Sequence, residues 1–371
     1  MAAFVIILAA VVVVLAAQVA WFVKHPRVVE VPVSVPISVP VAAPKQPAAP
    51  LPGPSAPTQP QPSVRVVTKY LREPEPEIPA HGSEHLTEPQ ALPDPPLGLP
   101  DSTVDGVRLG TLSVRAAAVR GEVGRRDGRL RRQVAEIAIL DTFNPPVLLS
   151  AVAAGRPTAR YSQLGAVHAI RAVYNRLTDR SALIDQAWRE TVDGDEDGES
   201  AAFLAGQLRA VTAALTEPLA EAARRRDQPP EAVATQLTCL LSRIGDTVGD
   251  TRRRAHLAFG VGGGPVLSIR SGSGWSAIER GGTGQPAGHR YLPFDHADTW
   301  LRHFATDPGD LLVVCSATSD GPIRRRSDRL SRDWAQAPSF AGFLHQVGLP
   351  DDVSRDDRAV VCLWEAAPRD E

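Results

Sequence analysis

Apolar residues run from Ala2 to Val23 with Gln18 as the single polar interruption. As a helix these 22 residues would span about 33 Å, close to the ~30 Å hydrocarbon thickness of a bilayer. No Lys or Arg precedes the run, so it lacks the basic flank of a cleaved signal peptide. The pattern predicts a transmembrane helix over 2–23. Lys24, His25 and Arg27 follow at once, with Trp21 and Phe22 suited to the interface. The positive-inside rule then predicts a single-pass protein of the cell membrane whose C-terminal part is cytoplasmic.

From 24 to 101 the apolar periodicity disappears, and 20 of the 34 prolines fall here. Proline removes backbone donors and fixes φ, so this stretch is predicted to be a disordered Pro-rich linker. Pro32, Pro36, Pro40 and Pro44 recur at every fourth position, which favours extended, polyproline-like structure. Fully extended, the segment would reach about 240 Å, and as a flexible coil nearer 50 Å.

Between 102 and 366 the chain reads as one globular domain. Alternating or continuous apolar runs predict strands at 110–118, 134–140, 147–152, 256–262, 266–269, 275–280, 311–315 and 359–364. Helical spacing appears at 165–177 behind a Ser162 cap, at 200–225 with a break near Pro218, and at 231–244. Shorter helices are predicted at 329–337 and 340–347. Strands, then helices, then more strands argue for an α+β fold with antiparallel sheets rather than a doubly wound nucleotide fold.

Charge and cysteine usage change this picture little. Forty basic and 42 acidic residues nearly cancel, so no global field points to nucleic acid. Cys239, Cys315 and Cys362 are widely spaced, and two lie in apolar runs, as expected of buried thiols in a reducing compartment.

Several motifs taken in order carry more. Leu148-Leu149-Ser150-Ala151-Val152-Ala153-Ala154-Gly155, followed by Tyr161-Ser162-Gln163-Leu164-Gly165, resembles the strand and helix start of metal-dependent protein phosphatases of type 2C. In that family the strand ends Ala-Val-Ala-Asp-Gly and offers its Asp to two divalent cations. Here Ala154 stands in the Asp place, before Gly155. Leu112 to Gly121 resembles the family's first strand, and Arg131-Arg132-Gln133-Val134-Ala135 its Arg-Gln-Asp-Ala, with either Gln133 or Val134 replacing the Asp. Val266 to Trp275 resembles the hairpin bearing Gly-Asp-Ser, with Arg270-Ser271-Gly272 in its place. Leu311-Leu312-Val313-Val314-Cys315-Ser316-Ala317 resembles the strand leading to Thr-Asp-Gly, with Ala317 at the Asp. Asp356-Asp357-Arg358-Ala359-Val360 resembles the closing Asp-Asp-Arg-Thr-Ala-Val, and Asp356 is the one carboxylate in register. The resemblance covers about 108 to 365.

It implies a fold of two stacked antiparallel β-sheets flanked by helices. It also implies a phosphate contact from an arginine of the basic loop, for which Arg125, Arg126, Arg131 and Arg132 are the candidates. The family reaction needs two bridged cations, manganese or magnesium. Two dications ~4 Å apart repel by about 17 kcal/mol at an effective dielectric near 20, which several carboxylates must offset. With one Asp left, no resident metal is expected. The resemblance therefore implies a pseudophosphatase that binds a phosphoprotein or signalling partner at the membrane. The alternative is an active enzyme with rearranged ligands, combining Asp356 with Asp320, Asp310 or Asp357. In that case Asp320-Gly321 would be a shifted ligand rather than a loop turn.

Other chemistries find no support. Cys315 is not followed by a Cys-x5-Arg loop, and the nine histidines lack metal-ligand spacing. Gly260-Val261-Gly262-Gly263-Gly264 has no P-loop Lys and reads as a hairpin turn. Asp193 to Gly198 matches half a calcium loop, but its twelfth position is Leu204, so an acidic surface loop is expected.

Overall fold

The computed structural model describes residues 100–192, 198–245, 253–270, 274–278 and 290–366. The predicted transmembrane helix, the linker up to residue 99 and the acidic residues 193–197 lie outside them. Among the described residues no helix is long and apolar enough to cross a membrane.

Eleven strands form two antiparallel sheets among the described residues. The first sheet has the order β1 (Ser102–Leu109), β2 (Leu112–Val119), β11 (Arg358–Glu365), β10 (Leu311–Cys315), β7 (Val266–Arg270) and β8 (Gly274–Ala277). The second has the order β3 (Gln133–Leu140), β4 (Val147–Gly155), β5 (Thr235–Arg243), β6 (Arg254–Val261) and β9 (Trp300–Thr306). Helices α2 (Ser162–Asp179), α3 (Ser181–Val192), α4 (Glu199–Ala213) and α5 (Thr216–Arg224) follow β4 in sequence. Helices α6 (Ala317–Arg325), α7 (Ser327–Asp333) and α8 (Phe340–Gly348) lie between β10 and β11, and the short α1 (Glu122–Arg126) follows β2.

Period-two patterning sorts the side chains into three cores. Leu148 and Val152 of β4 meet Val114 and Ala116 of β2 and Val361 of β11 between the sheets. Their neighbours Leu149, Ala151 and Ala153 face the other way, into the core with Val173, Leu177, Trp188 and Leu208 of the helices. Cys315, Val360, Cys362 and Trp364 pack on the far side of the first sheet against Trp334 and Phe343. The result is a helix–sheet–sheet–helix sandwich. Each fully buried aliphatic or aromatic side chain contributes about 1.5–3 kcal/mol. The three cysteines are free and buried, and burial pushes the thiol pKa of Cys239 and Cys362 up.

Several predicted elements are corrected. Residues 231–244, predicted as helix, form a 3-10 turn, Pro230–Val233, and then β5. Every residue of β5 is buried because both faces of this central strand are covered. Such a run carries no alternation to separate strand from helix. The break expected near Pro218 falls at Ala214–Leu215, and Pro218 sits in the first turn of α5, where its missing N–H costs nothing. Ser162 is no cap: it is the first residue of α2, and its Oγ is buried without a partner. Gly262–Pro265 is not a hairpin turn, because it carries the chain from β6 in one sheet to β7 in the other. Asp320-Gly321 is not a loop turn but lies inside α6. The helix expected at 329–337 begins earlier, at Ser327. Five elements escape the sequence pattern: β1, α1, α3, α6 and β9. A tight turn at Gly110, with φ +59°, folds β1 back on β2.

Candidate functional site

One end of the sandwich gathers the motif positions. The ladder sets Gln133 of β3 opposite Ala154 of β4, and Ala154 opposite Gln236 of β5. Residues paired across antiparallel strands point to the same face. Gln133, Ala154 and Gln236 therefore form one row facing the first sheet. Val134 belongs to the next row, with Ala153 and Leu237, and its side chain lies in the helix-side core. Gln133, not Val134, therefore shares the face of Ala154. A one-residue step in a strand reverses the face, so only the register decides this.

At the row's edge β4 turns into α2 at Gly155. A Cβ there would lie 2.5 Å from that of Ser162, so the helix start can pack here only against glycine.

Across the gap, α6 begins at Ala317 just beyond β10. Ala317 is exposed, and the side chain that reaches the row belongs to Thr318. The Gln133 amide donates to Thr318 Oγ1 at 2.6 Å, and that hydroxyl donates to the backbone carbonyl of Asp357 at 2.7 Å. Ser316 Oγ lies 2.7 Å from Ser319 Oγ, which accepts from the Ala359 N–H at 3.2 Å. A chain of neutral groups thus joins β3 of one sheet to β10 and β11 of the other. Gln133 Oε1 is buried and has no partner.

The carboxylates behave differently from one another. Asp357 is buried, and each of its oxygens accepts a backbone N–H, from Gly121 at 2.8 Å and Arg132 at 2.7 Å. Asp356 is half exposed and lies 3.5 Å from the Arg132 guanidinium. Asp320 pairs with Arg324 one turn along α6, at 2.7 Å. Asp310 precedes β10, at the end of that strand remote from Ser316, and accepts the Asp307 N–H.

The four candidate phosphate arginines do not converge. Arg125 is buried and holds Asp101 through Nε and Nη2 at 3.1 and 2.5 Å. Arg126 is exposed and pairs with Asp127. Arg131 is buried against Thr103, and burial holds its pKa below the usual arginine range despite the nearby Asp357, Glu136 and Asp101 charges. Arg132 alone borders the row, donating to the Pro157 carbonyl and reaching both Asp356 and Asp357.

Manganese or magnesium does not fit this donor set. The row and its neighbour across the gap supply an amide, a methyl group and a hydroxyl from Gln133, Ala154 and Thr318. Asp357 is engaged on both oxygens. Among the described residues, no three of His, Cys, Asp and Glu come together to hold a metal. Sequence reasoning missed Gln236 and Thr318. Cross-strand partners of Ala154 are invisible without the ladder.

No family profile and no curated protein matches the chain in sequence. Several solved structures share its fold. They include a bacterial serine phosphatase at TM-score 0.46 and 11% identity, covering 71% of this chain and 100% of that one. The S. agalactiae serine/threonine phosphatase aligns at TM-score 0.46 and 12% identity, covering 71% and 99%. The phosphatase domain of the cell fate determinant SpoIIE from Bacillus subtilis aligns at 0.37 and 12%, covering 73% and 96%. RsbX, determined in complex with magnesium, aligns at 0.38 and 9%, covering 70% and 98%.

Proposed function

We propose that residues 102–366 form a degenerate type 2C phosphatase domain, a pseudophosphatase that binds a phosphoprotein or signalling partner. The observation that carries this reading is the row Gln133–Ala154–Gln236 with Thr318 hydrogen-bonded across it. On this reading the place for two cations is taken by neutral groups, of which Gln133 and Thr318 are joined by a hydrogen bond. The ordered motifs from Leu112 to Val360 supply the family likeness. The apolar run 2–23 with its basic flank supports a membrane anchor, and the proline-rich linker supports a tethered, cytoplasmic domain.

The test uses the full chain in detergent micelles. Manganese is titrated calorimetrically while hydrolysis of an aryl phosphate is followed. The expected result is neither stoichiometric binding nor turnover. Manganese-dependent turnover abolished by Asp356→Ala would overturn the reading in favour of relocated ligands. Protease accessibility in sealed vesicles tests the anchor: the domain is expected to be protected on the cytoplasmic side.

A further inference from the structure

The arginine pair that did not join the candidate site has another occupant. Asp101 directly precedes β1, where the linker ends. Its carboxylate lies 2.6 Å from Arg120 Nε and 2.5 Å from Arg125 Nη2. Both guanidiniums are more than nine-tenths buried, while Asp101 is 36% exposed. Burial alone would raise the Asp101 pKa, but hydrogen bonds and charge from Arg125 and then Arg120 hold it below the usual carboxylate range. Among the described residues, no other carboxylate is within ion-pair distance of either arginine.

Asp101 sits where the chain is easiest to lift. Its backbone carbonyl accepts one bond, from the Arg120 N–H at 2.8 Å, and Pro100 before it has no N–H to give. Strand ends open at low cost. The two buried guanidiniums, however, cannot be left without an anion. Asp101 can therefore leave only in exchange for another acidic group.

A second observation indicates which group. The tetrapeptide Gly98-Leu99-Pro100-Asp101 recurs as Gly348-Leu349-Pro350-Asp351. Asp351 is likewise gripped by a guanidinium, Arg325, at 2.6 and 3.2 Å. Pro350 and Asp351 line the same cleft of about 210 Å³ as Arg120 and Arg125. The chain thus uses one Pro-Asp element twice as a ligand for arginine, and the second copy lines the cleft that Arg120 and Arg125 border.

We propose that Arg120 and Arg125 form a receptor for an aspartate-bearing Leu-Pro-Asp peptide, filled within the chain by Asp101 and open to exchange with the same element on a partner. This rests on the partner-binding reading above. It makes Asp101 a latch that an acidic partner segment displaces.

The experiment uses the full chain in detergent and a fluorescent Gly-Leu-Pro-Asp peptide, with Gly-Leu-Pro-Asn as control. Asp101→Asn is expected to bind the Asp peptide at least tenfold more tightly than the unaltered chain. The Asn peptide should gain nothing, and adding Arg125→Gln should abolish the gain. Equal affinity for Asp101→Asn and the unaltered chain, both melting cooperatively, would overturn the receptor. Should Asp101→Asn fail to fold, limited proteolysis of the unaltered chain decides instead. The Asp peptide should speed cleavage within 90–100, and unchanged cleavage overturns the latch. Aryl phosphate hydrolysis would overturn the pseudophosphatase reading and leave these binding results standing. Absence of the peptide gain would remove the receptor and leave that reading intact.

Discussion

The two ends of the space between the sheets are closed by different chemistry. At the end remote from the motifs, Arg254 of β6 meets Glu365 of β11 at 2.5 and 2.9 Å, both side chains less than one-tenth exposed. Thr111 completes that cluster by donating to Glu365 at 2.6 Å. At the motif end, the hydrogen bond that joins the same two sheets between Gln133 and Thr318 is neutral, beside a longer contact of 3.6 Å between Arg132 and Asp357. A buried ion pair is costly to break, because the survivor stays desolvated. An amide–hydroxyl bond contributes a smaller net amount and leaves less behind. Gln133 and Thr318 are therefore the positions where a side chain can be changed with the fold intact.

The contrast breaks most sharply at the remote end. Glu365→Ala strands the Arg254 charge, and urea unfolding should show a loss of about 3–5 kcal/mol. Next is pH, acting through the same end. His256 is held between Ser242 and Thr306, each at 2.8 Å. Burial, helped by Arg254, pushes its pKa down to about 3. The unfolded chain takes up a proton near pH 6.5 that the folded chain refuses until about pH 3. Stability is therefore full above pH 6.5 and falls by up to about 1.4 kcal/mol per unit as pH drops through this window. In His256→Gln the slope of unfolding free energy between pH 6.5 and 4 should flatten by that amount. An unchanged slope would assign acid sensitivity to other groups.

Gln133→Leu removes the neutral staple and should cost about 1–2 kcal/mol, since Thr318 still donates to the Asp357 carbonyl. A cost equal to that of Glu365→Ala would erase the difference between the ends. Least should change at Asp320, whose exposed pair with Arg324 one turn along α6 contributes about 0.3–0.5 kcal/mol. Asp320→Asn should shift the unfolding free energy by no more than that. Loss of manganese-dependent turnover in this variant would instead make Asp320 a ligand.

Much of the fold is legible in the sequence because its pattern is local. Strands β2, β3, β4, β6, β7, β10 and β11 each follow from apolar runs, and α2 from its spacing. Failures have physical causes. β5 is covered on both faces, so its apolar run has no period. β9 has half-exposed residues such as Leu301 and His303 that blur alternation. α6 carries Pro322 and Gly321, which oppose helix in isolation, yet Pro322 and Ile323 are buried there by tertiary packing.

The candidate site divides the same way. The sequence alone determined that Ala154 and Gly155 end an apolar run and that Ala154, Gln133 and Ala317 carry no carboxylate, because residue identity is a local property. Only the tertiary structure decided that Gln133 rather than Val134 faces Ala154, that Thr318 reaches across in place of Ala317, and that Asp357 is engaged twice by backbone. It also placed Asp101 on Arg120 and Arg125. Each of these depends on which face a side chain takes and on what another segment brings within about 3 Å. Register and long-range closure are settled by packing the whole sandwich, and no window of sequence contains them.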